Sequence, residues 1–240
     1  MTPTDDILLK LEAVSLLRRL KRYYRYKELE EYLGIDAPLL CKYVRGKLLP
    51  GRQRAKEIVK RALSLVDIKE ELRKSLSPQV YDFFDLTNLS VAAPDLLLYI
   101  AIQAYKLYKG SEITKVLSLE GGGLIIASLI AALLNRCLVY AIRDHYIVDA
   151  IIEPYPATTG AASKYTKFIA LPKRSINPSD KLLIVDDIMH TGSTIRILLK
   201  ISRKAGSKVC GVFCLGVASE DVARKIEEEY GVKVMYLIEI

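Results

Sequence analysis

The chain has 240 residues, 51% of them hydrophobic, enough for one large domain or two small ones. No charge-free apolar run reaches the roughly 18 residues of a membrane-spanning helix, which excludes that class. The formal charge of +8 is uneven: residues 1–75 hold 18 basic and 11 acidic side chains, so almost all of it sits in the first third. A localised basic segment is the electrostatic footprint of a nucleic-acid binder, and a solvated helix face is the plainer alternative. The N-terminus carries Asp5 and Asp6 with no basic stretch before its apolar residues, so no secretory leader is expected and a cytoplasmic location is. Cys41, Cys137, Cys210 and Cys214 lack the His or Cys neighbours of a zinc site and read as inert thiols.

In chain order, residues 5–23 predict an amphipathic helix, with Ile7, Leu8, Leu11, Leu17 and Leu20 near helical spacing. Arg18, Arg19, Lys21, Arg22, Arg25 and Lys27 then fall within ten residues without an acid. Residues 26–33 form a second short helix, ended by Gly34. Asp36 is positioned to cap a third helix, residues 37–45, with Pro38 just inside it. Gly46 and the loop 47–51 lead into a basic helix from Arg52 to about residue 65. Two short helices about a glycine turn make a helix-turn-helix. Residues 66–80 read as a connector with a charged helix, ending at Ser77-Pro78, and the chain divides into domains 1–75 and 76–240.

From Pro94 onward strands and helices alternate, which predicts an α/β domain with a mostly parallel sheet. A helix is expected over 94–108 and a buried one over 124–134, with strands over 113–119, 137–142, 168–171, 181–185, 209–217 and 232–240. Two loops carry chemistry. The strand 182–185 ends in Asp186-Asp187, followed by Ile188-Met189-His190 and the hydroxyl-and-glycine run Thr191-Gly192-Ser193-Thr194. Successive N–H groups at a helix start bind phosphate, and Gly192 permits close backbone approach. The two carboxylates suit sugar hydroxyls or a metal, not the phosphate itself. About 65 residues earlier, Glu120-Gly121-Gly122-Gly123 closes another strand and is a second, weaker anion site.

The run 182–194 resembles the phosphoribosyl pyrophosphate (PRPP) signature of type I phosphoribosyltransferases, with His190 standing where that family usually has a small or acidic residue. The resemblance implies that Asp186 and Asp187 hold the ribose 2- and 3-hydroxyls and that Thr191, Gly192, Ser193 and Thr194 cradle the 5-phosphate. It also implies a pyrophosphate loop at Glu120, Gly121 and Gly122, often with a strained peptide, and a pyrophosphate contact at Arg143. A loop over 155–166 would close on PRPP, bringing Lys164 and Lys167 near. Mg²⁺ is implied only together with PRPP, and no separate metal site is.

The segment from Lys27 to Pro50 resembles the Cro/C1-type repressor module. That resemblance implies that Leu40 and Tyr43 plug a core while Ala37, Pro38, Leu39 and Lys42 face a DNA major groove. Arg45, Lys47, Arg52 and Arg54 would meet phosphates, and Arg22 and Arg25 would extend the contact. The alternative is a helical protein-interaction domain.

A helix-turn-helix ahead of a phosphoribosyltransferase fold resembles the purine repressors of Gram-positive bacteria and archaeal regulators of the GfcR type. The stretch 76–90, where a base would be gripped, shows no recognisable base-reading pattern. The reading is therefore a homodimeric regulator that binds duplex DNA and senses PRPP or a ribonucleoside 5-phosphate, and not an enzyme. The alternative is an active purine or pyrimidine phosphoribosyltransferase with an appended helical domain.

Overall fold

A computed structural model describes residues 2–76, 89, 93–145, 147–154 and 167–240, in two compact units spanning Met1–Gln103 and Ala104–Ile240.

The first unit is helical. α1 (Pro3–Leu20) starts two residues earlier than expected because Thr2 and Asp5 form a reciprocal cap, with Pro3 in the first turn. Both faces of α1 are buried, so it forms the centre of the unit. α2 (Tyr26–Leu33) ends at Gly34, whose φ of +66° is the left-handed conformation glycine adopts cheaply. α3 (Ala37–Val44), α4 (Arg52–Leu65) and α5 (Ile68–Leu76) follow. The Asp36 side chain makes no capping bond; the Ala37 N–H donates instead to Glu30 Oε2 at 3.3 Å. The basic run of α1 is not all on the surface. Arg19 is buried, and its Nε donates to Glu71 Oε2 of α5 at 2.6 Å, where the Tyr23 hydroxyl also donates. This pair, with Gln103 donating to Glu12 at 2.9 Å and Arg22 facing Asp95 at 3.8 Å, carries the first unit past residue 75 to Gln103.

α6 (Pro94–Tyr108) matches its expected bounds. The second unit is built on a seven-stranded sheet in the order β3-β4-β2-β1-β5-β6-β7. The strands are β1 (Lys115–Leu119), β2 (Cys137–Arg143), β3 (Ala150–Pro154), β4 (Phe168–Pro172), β5 (Lys181–Met189), β6 (Lys208–Val217) and β7 (Val234–Glu239). β2, β1, β5, β6 and β7 are parallel; β3 and β4 add an antiparallel edge. α7 (Gly122–Leu134), α8 (Ser193–Lys204) and α9 (Glu220–Tyr230) flank the sheet. The buried core runs from Leu117 and Leu119 through Leu182 and Ile184 to Leu198, Val212 and Ile226.

β3 and α9 were not anticipated. β3 is five residues long and ends at Pro154, which breaks the apolar pattern. α9 did leave a signal: Ser219 before Glu220 and Asp221, then Val222, Ala223 and Ile226 on one face. β5 runs on to Met189 and does not stop at the carboxylates, because β6 is ten residues long and keeps pairing with it. Asp186 lies opposite Cys214 and Met189 opposite Val217. α7 is only partly buried, with Ile125 exposed.

Candidate active site

The sheet order fixes where a site can form. β1 leads through α7 to β2 on one side, while β5 and β6 lie on the other, so the strand order reverses between β1 and β5. Ligands of open α/β sheets bind at the carboxyl ends of the strands at such a point. Three strand ends meet here: Glu120 after β1, Arg143 at the end of β2, and Asp186-Asp187 near the end of β5.

Glu120 and Arg143 are locked together. The Arg143 N–H donates to Glu120 Oε1 at 2.6 Å, and its guanidinium donates to the Glu120 carbonyl at 2.5 Å. Gly121 follows with φ +122° and ψ −151°, a region essentially restricted to glycine. A Cβ on Gly121 would stand 3.7 Å from the Arg143 guanidinium, so Arg143 lies along the glycine turn. No cis peptide occurs among the described residues.

Asp186 is buried and Asp187 partly so. Burial pushes the Asp186 carboxyl well above the usual range, and the neighbouring Asp187 carboxylate pushes it further. Each acid accepts a backbone N–H: Asp187 N–H donates to Asp186 Oδ1 at 3.0 Å, and Ile188 N–H to Asp187 Oδ1 at 2.8 Å. Gly123 completes this corner. A Cβ there would stand 2.7 Å from Asp186 Oδ1 and 3.1 Å from the Asp187 nitrogen. The sequence reading took Gly121 and Gly122 into the site and left Gly123 out. Its signal was the third glycine of the run, which a turn alone does not require.

His190, Thr191 and Ser193 are exposed, Thr194 is half-buried and Gly192 is buried. Gly192 caps α8 with φ +74°. The first N–H groups of a helix have no partner within it. Here the Ser193 N–H takes the Thr191 hydroxyl at 3.3 Å, and the Arg196 N–H closes the first helical bond onto the Gly192 carbonyl at 2.9 Å. The result is a short, exposed turn at a positive helix end, beside the two acids.

Lys167 is exposed immediately before β4, whose Phe168 exchanges hydrogen bonds with Asp144, the residue after Arg143. Lys164 and the loop 155–166 lie outside the described residues. So does most of 76–90, of which only Leu76 and Leu89 are described.

Of the N-terminal candidates, Leu40 and Tyr43 are buried as expected. Pro38 and Lys42 of α3 are exposed, and Ala37 and Leu39 half-buried. Arg25, Arg45, Lys47 and Arg54 are exposed, Arg54 reaching the Tyr43 hydroxyl. Arg22 and Arg52 are exposed but face acids, Asp95 at 3.8 Å and Asp6 at 4.0 Å. Arg18 donates from Nε to the Val44 carbonyl at 2.9 Å and so ties down the end of α3.

Residues 92–239 match the phosphoribosyl transferase domain family, more than half of the chain. The chain belongs to the phosphoribosyl transferase domain family. Over 148 residues it is 29% identical to xanthine phosphoribosyltransferase of Lacticaseibacillus casei, covering 61% of this chain and 77% of that protein. Xanthine phosphoribosyltransferase of Bacillus licheniformis is 26% identical over 148 residues, covering 61% and 76%. Among solved structures, adenine phosphoribosyltransferase of Rhodothermus marinus superposes with a TM-score of 0.60 at 23% identity, covering 72% of this chain and 98% of that one. The Trypanosoma brucei adenine enzyme, solved with AMP, pyrophosphate and ribose-5-phosphate, gives 0.60 at 18% identity, covering 72% and 79%.

These relatives overturn one expectation. The chain was read as a sensor and not an enzyme, because a helix-turn-helix precedes the phosphoribosyltransferase fold and no base-reading pattern was visible in 76–90. Its relatives are named as transferases, and they match across the fold that carries the acid pair and the glycine turn. The family match begins at residue 92, so the stretch 76–90 on which that expectation leaned lies outside it. The match likewise has no bearing on the helix-turn-helix reading.

Phosphoribosyltransferases use Mg²⁺ with PRPP, and the fold of this chain is consistent with that cofactor. The donor set fits a metal that arrives on its substrate. Mg²⁺ needs only one or two carboxylates beside substrate phosphates. Asp186 and Asp187 supply two, and no group of three or more ligating side chains is gathered among the described residues. No helix among them is long and apolar enough to cross a membrane.

Proposed function

We propose that the chain transfers ribose 5-phosphate from PRPP to a nitrogen of a purine base, releasing pyrophosphate. The observation that carries this is the Asp186-Asp187 pair at the sheet's switch point, directly ahead of an exposed helix-start turn. In this reading Asp186 and Asp187 accept the ribose 2- and 3-hydroxyls. The turn Thr191–Thr194, with His190 at its rim, receives the 5-phosphate. Gly121, Gly122 and Arg143, oriented by Glu120, receive the pyrophosphate, with Lys167 as a further basic contact. Asp186 and Asp187 would hold a Mg²⁺ that arrives with PRPP, and the ion would supply positive charge to offset that of the pyrophosphate. The Lacticaseibacillus relative makes xanthine the first base to try.

The test is pyrophosphate release from Mg²⁺–PRPP with xanthine, guanine, hypoxanthine or adenine. One of them is expected to turn over at about 1 s⁻¹ or faster, the ordinary enzyme range. Silence with all four, from protein shown by calorimetry to bind PRPP, rejects the reading.

A second reading concerns residues 1–75, within the first unit. We infer that they contact duplex DNA. The net charge of +7 in this segment supports it, as does the pair α2 and α3 joined by a turn at Gly34, with Lys42 and Pro38 outward and Leu40 and Tyr43 inward. We also infer that two copies associate. In support, α7 carries no charged residue along Gly122–Leu134, and Ile125 on it and Tyr140 on β2 are 40% and 49% exposed. Sedimentation is expected to show a dimer that Ile125→Glu splits; an unchanged dimer in that variant excludes this face.

A further inference from the structure

Arg196 lies one helical turn beyond the candidate phosphate loop, and its side chain points back at it. Nη1 donates to the Thr191 carbonyl at 2.8 Å. Nε donates to Glu229 Oε2 of α9 at 2.7 Å. The Arg196 backbone N–H holds the Gly192 carbonyl at 2.9 Å. The Thr191 and Gly192 carbonyls are therefore tied to one residue, and that residue is tied to a second helix. The space is closed on the same side: a Cβ on Gly192 would stand 3.1 Å from Arg196 Nη1 and 3.0 Å from Ile226 Cδ1 of α9.

A trans peptide is planar, with its C=O and N–H pointing opposite ways. Drawing the Thr191 carbonyl toward Arg196 thus turns the Gly192 N–H away from Arg196. Fixing the Gly192 carbonyl does the same for the Ser193 N–H, which donates to the Thr191 hydroxyl at 3.3 Å until a stronger acceptor replaces it. Bidentate guanidinium geometry suits this task, because one planar group meets a carboxylate and a carbonyl at once. The Glu229 carboxyl is held below its usual range, first by that hydrogen bond, so it is ionised whenever Arg196 needs it.

We propose that Arg196, anchored by Glu229, is a positioning residue that presets the N–H groups of the Thr191–Thr194 turn for a phosphate it does not itself touch. The proposal rests on the reading of this turn as the 5-phosphate site. It assigns the Arg196–Glu229 pair a share of substrate affinity, not of the chemical step.

The experiment titrates Mg²⁺–PRPP and ribose 5-phosphate into the full chain and into Arg196→Ala, Arg196→Lys and Glu229→Gln, with thermal midpoints and steady-state kinetics for each. Losing a charge-assisted bond that orients donors is expected to weaken both ligands about tenfold in Arg196→Ala. KM for PRPP should rise while kcat changes far less, the signature of lost uniform binding. Arg196→Lys recovers part of the loss, since its ammonium reaches only one partner, and Glu229→Gln shows a smaller loss. The dependence of affinity on salt should match the wild type, because no cation–phosphate contact is removed. Wild-type affinity in a folded Arg196→Ala overturns the proposal. So does a flattened salt dependence, which makes Arg196 a direct phosphate ligand. Should Arg196→Ala not fold, wild-type affinity in Glu229→Gln overturns it. A wild-type chain that binds neither ligand rejects the site reading itself.

Discussion

Gly123 and Asp186 are packed so closely that a side chain on one would overlap the other. The position of a Gly123 Cβ is 2.7 Å from Asp186 Oδ1 and 3.0 Å from Asp186 Cα. The third glycine of the run thus sets how near the first turn of α7 lies to β5, and joins the glycine loop to the acid pair. Gly123→Ala must push either α7 or the strand end away. Overpacking of this kind costs about 1–3 kcal/mol. The expected outcome is a lower thermal midpoint together with weakened PRPP binding by calorimetry. Undiminished PRPP affinity in this variant means the spacing does not matter.

Asp186 gives a pH signature. Its carboxyl titrates above the usual range because it is buried and beside Asp187. The folded state therefore holds its proton more tightly than the unfolded chain, where Asp titrates near about 3.9. Above that point the folded state carries the excess proton, so stability falls as pH rises through the raised pKa. Asp186→Asn keeps an oxygen acceptor for the Asp187 N–H and removes the charge. Without ligand it is expected to melt higher than wild type at neutral pH, to lose that pH dependence, and to bind PRPP poorly. A midpoint below wild type at pH 7 contradicts the assignment.

Arg19 tests the first unit. It forms an ion pair with Glu71, both side chains being under 10% exposed. Removing one partner of a buried pair leaves an uncompensated charge and costs about 3–5 kcal/mol. Arg19→Met should unfold the first unit at markedly lower temperature, whereas Arg25→Met on the surface should change little. Equal midpoints for the two variants, by calorimetry, show the pair to be energetically idle.

DNA binding is tested by salt. If residues 1–75 contact the duplex, log affinity falls linearly with log salt, by nearly one unit of slope per phosphate neutralised. Arg45→Ala and Lys47→Ala are each expected to reduce that slope by about one, and Lys42→Ala to act mainly on a preferred sequence. Fluorescence anisotropy between low and moderate salt reads this. A salt-independent signal, or full binding by residues 93–240 alone, removes the DNA reading. Repeating the titration with PRPP shows whether a ligand of the acid-pair site alters it.

The carboxylates and the turn were legible in the sequence because their chemistry is local. Two acids after an apolar run, then hydroxyls and a glycine, occupy consecutive positions, and the strand-to-helix transition places them together whatever the rest of the chain does. The helices of the first unit were legible for the same reason: caps, glycines and 3.6-residue spacing are properties of neighbours in sequence. Tertiary structure decided what depends on distant partners. β5 passes through Asp186 and Asp187 because β6 supplies hydrogen bonds as far as Val217, some thirty residues away. Gly123 matters because β5 lies against it. Arg19 left the basic surface because Glu71, on another helix, took it inside. Arg196 reads as an ordinary helix-face cation until Glu229 and the Thr191 carbonyl stand on either side of it. Charge and periodicity tell which groups a segment carries; only packing tells which of them meet.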